Sequence, residues 1–145
     1  MYADYTFYTD TYLGTVIGEA DFPRLSSRAS EFLDYYTHGR AATVTDADTL
    51  TLLGKATCSI AEAMQAYEQE RALAAKAVGS ALAATGGEVK SETVGSWSQS
   101  YATAADYIKG GNAAEAVKQA RLAYASIARE YLANTGLLYR GGVFA

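Results

Sequence analysis

One histidine, one cysteine and sixteen carboxylates are the residues whose types could carry chemistry in this chain of 145. Any catalytic triad or histidine-rich metal site would have to be built around His38. That residue falls in the last turn of a helical pattern, where a partial positive charge suits the negative end of the helix dipole, so a capping role is expected. Cys58 stands in ATCSIA, with no histidine or basic cluster nearby in sequence to activate a thiolate, and reads as a small buried hydrophobe. A lone cysteine makes no internal disulfide and no multi-cysteine zinc site, and it fits a reducing compartment. Glu19, Asp21, Glu31 and Asp34 are the best carboxylate cluster, and Glu31 and Asp34, three apart, share a helical face. Acid-base work needs such a pair. Here, however, the carboxylates are interleaved with Arg24, Arg28 and Arg40, the pattern of solvated ion pairs or of contacts between subunits. Gly86-Gly87 and Gly110-Gly111 lack the spacing and the following Lys-Ser/Thr of a phosphate cradle. The expectation is a protein that is not an enzyme and carries no cofactor and no metal.

The elements that must position these residues are helical. Over 21–37, Phe22, Leu25, Ala29, Phe32, Leu33 and Tyr36 recur at threes and fours, one stripe of a helix. Asp21 is a cap, Pro23 is tolerated in the first turn, and Gly39 supplies a left-handed stop. A second helix opens at Thr45, with Asp48 reaching back and Val44 placed to staple, and carries Leu53, Ala56, Ile60, Ala63, Met64 and Tyr67 on one face. Its pattern could continue to residue 84, but ~40 residues would make a rod of ~60 Å, so a break is expected within 70–79. A third helix begins at Asn112 after Gly110-Gly111, with the stripe Ala116, Val117, Ala120, Tyr124, Ile127, Ala128, Tyr131 and Leu132, and ends at Asn134 and Gly136. Stripes rich in small residues suit close packing in a bundle.

Between the second and third helices the chain turns polar. Val89, Ser91 and Thr93 alternate with Lys90, Glu92 and Val94, Gly95-Ser96 offers a turn, and Trp97 to Tyr101 can return as a partner strand. An isolated hairpin is marginal in water, so this one needs the bundle or a neighbouring subunit for support. A surface turn and a functional loop are both open readings. The fold class expected is therefore mainly α: a small bundle of three to four helices, a β-hairpin loop between the later helices and an extended carboxy-terminal tail. One helical domain spans 1–145, with an amino-terminal arm at 1–18, the hairpin loop at 86–102 and the tail at 136–145.

Half of the residues are apolar and 19% are charged. No apolar run approaches the ~18–20 residues that cross a bilayer, and MYADYTFYTD has no basic region ahead of a hydrophobic one, so a soluble chain without a secretory signal is expected. The net charge of −4 disfavours nucleic acid over the surface as a whole. Twelve tyrosines, large apolar faces with polar tips, point to contact surface. Tyr2, Tyr5, Tyr8 and Tyr12 in the arm are spaced to form a helical face, a lid over the core or an intersubunit contact.

Four stretches in order, YADYTFYTDTYLG, DFPRLSSRASEFLDYYTHGR, VKSETVGSWSQSY and YLANTGLLYRGGV, resemble the head-tail adaptor proteins of long-tailed bacteriophages, also called head-tail connector or head-completion proteins. The resemblance covers nearly the whole chain and is weakest at 72–85. It implies a helical virion subunit that forms a homo-oligomeric ring, commonly of about twelve copies, between the portal protein and the stopper or tail-completion protein. DNA would be only a transient cargo in the channel, and no membrane is involved. The chain would sit in the virion neck and, before assembly, in the host cytoplasm. Carried onto this sequence, the portal-directed tail is Leu137, Leu138, Tyr139, Arg140, Val143 and Phe144 with the intervening glycines. The channel or ring-contact loop is Glu88, Lys90, Ser91, Glu92, Thr93, Trp97, Ser98 and Tyr101.

The residues themselves fit this without requiring it. A tail that alternates apolar residues with glycine around Arg140 can add backbone hydrogen bonds to a partner's edge, with Tyr139 and Phe144 filling pockets, or it can fold back on its own bundle as an ordinary terminus. In a channel, Ser, Thr and Gln with few cations would let DNA pass without gripping its phosphates. Glu88 and Glu92 would add repulsion that Lys90 partly offsets. The alternatives are a DNA-packaging subunit of the small terminase kind and a plain cellular helical adaptor. The first needs a DNA-reading module, for which Arg24, Arg28, Arg40 and Lys55 are few and scattered. The second gives no reason for the order of the four stretches.

Overall fold

The computed structural model describes residues 1–84 and 111–139. It is mainly helical: a π-helical turn at Phe7–Thr11, helix α1 at Phe22–Tyr36, a 3-10 turn at Arg40–Thr43, helix α2 at Ala47–Ala84 and helix α3 at Gly111–Leu132. Among the described residues there is no strand. The hairpin expected over 86–102 lies outside them. The chain groups into two compact units, Met1–Ala66 with Leu122–Ala145, and Tyr67–Arg121.

The first unit holds the core. Helix α1 follows the expected stripe, with Phe22, Leu25, Ala29 and Leu33 buried and Phe32 and Tyr36 half-buried. Pro23 sits in its first turn. Asp21 does not cap the helix with its side chain: its backbone is already helical (φ −90°, ψ −23°), so the carboxylate turns instead to Arg24 at 4.0 Å. At the other end the Gly39 N–H reaches back to the Asp34 carbonyl at 2.8 Å with φ +78°, the left-handed stop read from the sequence. His38 is not in the last helical turn. It too is left-handed, at φ +55°, a conformation costing a non-glycine residue about 1 kcal/mol.

The cap of α2 is Asp46 rather than Thr45. Its Oδ2 accepts the Thr49 N–H at 2.9 Å and the Thr49 hydroxyl at 2.8 Å. These bonds, the backbone one first, hold the Asp46 carboxyl below its usual range. In TDAD both residues are competent caps, and periodicity alone does not choose between adjacent ones. Leu53, Ala56, Cys58, Ile60 and Met64 are buried as expected, but so are Thr57 and Ala61, because α2 is covered on more than one side over this stretch. Thr57 satisfies its hydroxyl on the Leu53 carbonyl one turn back, at 2.9 Å. From α3 the first unit takes Tyr124, Ala128 and Leu132 into its core, and the Tyr124 ring meets Phe32 edge-on with centroids 5.6 Å apart.

The second unit is described by the remaining turns of α2 and α3. The expected break within 70–79 is absent, and α2 runs unbroken for 38 residues. Alanine, Glu, Arg and Lys dominate that stretch, all strong helix formers, and Gly79 alone does not outweigh them. A rod of this length is too long for one compact body, and the chain forms two compact units. Leu73 and Val117 are exposed, and so is Ala116, which corrects the first half of the α3 stripe. Arg71 lies over the Tyr67 ring at 5.8 Å, and Glu115 pairs with Gln119 at 2.8 Å and Lys118 at 3.7 Å.

Candidate functional site

The amino-terminal arm is a lid, built from the tyrosines whose spacing marks it. Two serines of α1, a turn apart, receive its first residues: the Tyr2 N–H donates to Ser30 Oγ at 3.1 Å, and the Ser26 hydroxyl donates to the Ala3 carbonyl at 2.5 Å. The Tyr2 hydroxyl donates to Asp34, which removes that carboxylate from the cluster considered for acid-base work. Burial and then the hydrogen bond to Asp34 push the Tyr2 phenol upward. Tyr8 is fully buried, stacked on Phe22 with centroids 4.7 Å apart and flanked by Tyr5 and Tyr12.

The Tyr8 hydroxyl is the knot of the arm. It donates to Glu62 Oε1 at 2.7 Å and accepts the N–H groups of Val16 and Ile17 at 2.9 and 3.0 Å. Tyr12 donates to the other oxygen of Glu62 at 3.3 Å. A single carboxylate on α2 thus buckles two arm tyrosines 54 and 50 residues away in sequence. Burial raises both phenols, Tyr12 to about 12. Two glycines admit the arm: a Cβ on Gly14 would lie on the Tyr8 ring, and one on Gly54 would meet Phe7 Cζ at 2.6 Å. Next to Glu62, Cys58 is fully buried, and its thiol is pushed up to about 12 by desolvation and then by the carboxylate. It is the inert core residue read from the sequence.

The carboxy-terminal segment leaves α3 through turns at Leu132–Thr135 and Gly136–Tyr139, the latter with Gly136 at φ +74°. Of the tail residues singled out in the sequence, Leu137 is buried, Leu138 is half-buried and Tyr139 is 63% exposed. Arg140, Val143 and Phe144 lie outside the described residues. So do all eight residues of the loop, from Glu88 to Tyr101. The Tyr139 carbonyl is held by the Arg40 guanidinium, whose Nε also donates to the Thr37 carbonyl at the end of α1, at 3.0 Å. Close by in the fold, Arg129 of α3 donates to the Tyr36 hydroxyl at 2.9 Å.

Sequence reasoning missed Ser26, Ser30, Glu62 and the tail-holding role of Arg40. Glu62 had a readable signal, a lone charge within CSIAEAM beside the buried stripe, and Ser26 and Ser30 sit four apart flanking an apolar face. Arg40 reads from the sequence as a cation of ion pairs, of subunit contacts or of a DNA-binding helix pair, with nothing that links it to residue 139. What the arrangement offers chemically is a clamped lid and, on a backbone held by Arg40, the exposed ring of Tyr139. Compared with known proteins, the chain matches no family model, no curated protein and no solved structure.

Proposed function

We propose that this chain is a structural subunit of a bacteriophage neck: a head-tail adaptor that forms a ring between the portal and the stopper or tail and lets DNA through its channel. The tail at 136–145 reaches the portal, and the polar loop at 86–102, as a hairpin, faces the channel or the adjoining ring. The protein resides in the virion and, before assembly, in the host cytoplasm. The observation that carries the reading is the carboxy-terminal segment. Leu137 is sunk in the core, while two residues later Tyr139 offers most of its surface to solvent from a backbone that is held in place. A large aromatic side chain presented on an anchored backbone is how a terminal segment enters a partner's pocket at low entropic cost.

The test is to mix the purified chain with the portal ring of the same phage and follow co-sedimentation with and without nuclease. The reading requires a stable complex that survives nuclease and is lost when residues 137–145 are removed. Salt-dependent DNA binding with no portal complex would instead favour the packaging subunit.

A further inference from the structure

We propose that Arg40 is a positioning residue for the tail: by holding the backbone at Tyr139 it fixes the place from which the exposed Tyr139 side chain is offered to a partner. What the tail docks on rests on the adaptor reading above; the positioning rests on the geometry around Arg40.

Among the described residues, the turns after α3 are closed by bonds of short range. Thr135 N–H and hydroxyl turn back to the Leu132 carbonyl, Leu137 N–H meets the Thr135 hydroxyl at 3.3 Å, and Tyr139 N–H meets the Gly136 carbonyl at 3.1 Å. The Arg40 contact is of another kind, spanning 99 residues of sequence. Its guanidinium is a planar fork, and here one prong joins the Arg40 N–H on the Thr37 carbonyl, just past the end of α1, while another takes the Tyr139 carbonyl. Both bonds are charge-assisted, and a cation is favoured at a helix carboxy terminus.

The backbone is bent to bring this about. His38 and Gly39 are both left-handed, which carries the chain back across the helix end, and the Arg40 N–H then bonds to Thr37 at 3.2 Å. A non-glycine residue held in that conformation marks a place where the surroundings impose the geometry. A simple helix stop needs only Gly39. The second left-handed residue sets the base of the side chain that holds the tail.

The experiment compares the wild-type chain, Arg40→Ala, Arg40→Lys and a chain ending at Gly136, by hydrogen exchange of the peptide 137–145 and by affinity for the portal ring. Arg40→Ala is expected to speed exchange at Tyr139 and to weaken portal binding, each by about tenfold, the loss of one hydrogen bond to a charged group. Arg40→Lys, which keeps the charge without the fork, is expected to fall between, and it serves if the alanine variant folds poorly. In the chain ending at Gly136, adding Arg40→Ala should change portal affinity no further. Wild-type portal affinity in Arg40→Ala and Arg40→Lys, with binding still lost on truncation, overturns the positioning role and leaves the adaptor reading standing. Wild-type affinity in the truncated chain overturns the tail-docking reading and this proposal with it.

Discussion

Replacing Tyr8 by Phe removes one oxygen atom and tests whether the arm is buckled as described. The ring stays, so its stacking on Phe22 and its place against Gly14 are kept. What is lost is the bond to Glu62 Oε1 at 2.7 Å and the acceptor for the Val16 and Ile17 N–H groups. Val16 is 62% exposed, so water can replace the partner of its N–H at little cost. Ile17 is 2% exposed, and a buried N–H without a partner costs about 1–3 kcal/mol. The bond to the carboxylate is worth about 1.5 kcal/mol where it is partly screened. Together these place Tyr8→Phe about 3 kcal/mol below wild type, a large part of the ~5–15 kcal/mol that holds a domain of this kind. Tyr12→Phe is the control. Its bond to Glu62 is longer and its side chain less buried, so it should cost under about 1 kcal/mol. Urea unfolding followed by far-ultraviolet circular dichroism gives the free energies, and amide exchange at Ile17 reports the arm itself. A Tyr8→Phe variant within about 0.5 kcal/mol of wild type, with unchanged exchange at Ile17, would refute the buckle.

Three further outcomes are expected. Gly14→Ala should displace the arm and lower the thermal midpoint, because the new methyl lies on the Tyr8 ring, and overpacking of this kind costs about 1–3 kcal/mol. The arm should also be released by alkali: folding raises the Tyr12 phenol from about 10 to about 12, so its contribution is complete below pH ~10 and is lost as pH rises through ~12, read by tyrosinate absorbance against arm exchange. Cys58, fully buried with its thiol pushed up to about 12, should react with a disulfide reagent at neutral pH only as fast as the protein unfolds, so that the rate tracks urea concentration.

Local signals in the sequence located what local physics decides. The apolar stripe of α1, Pro23 in its first turn and Gly39 after its end are features of neighbours in the chain, and they mark Phe22–Tyr36 to within a residue. Leu53, Ala56 and Ile60 on α2, and Tyr124, Ala128 and Leu132 on α3, follow from the same period. The cap of α2 moved by one residue because Thr45 and Asp46 offer the same chemistry. Contacts made across the chain were not legible. Neither the serines that receive the arm nor the carboxylate that buckles Tyr8 and Tyr12 can be chosen without knowing which helix faces the arm. The candidate site divides in the same way. From sequence the tail can either add to a partner's edge or fold back on its own bundle, and the turn at Gly136 divides it, burying Leu137 and exposing Tyr139. Arg40 acquires its meaning only when residue 139 is brought beside it.

The central claim is a place in the virion neck, and it is met most directly by quantitative peptide mass spectrometry of purified, DNA-filled particles from the source phage, with the portal protein as internal reference. The adaptor account predicts about one copy of this chain per portal subunit, as matched rings require. Absence from mature particles would contradict it and would favour a packaging subunit, which leaves once the head is full.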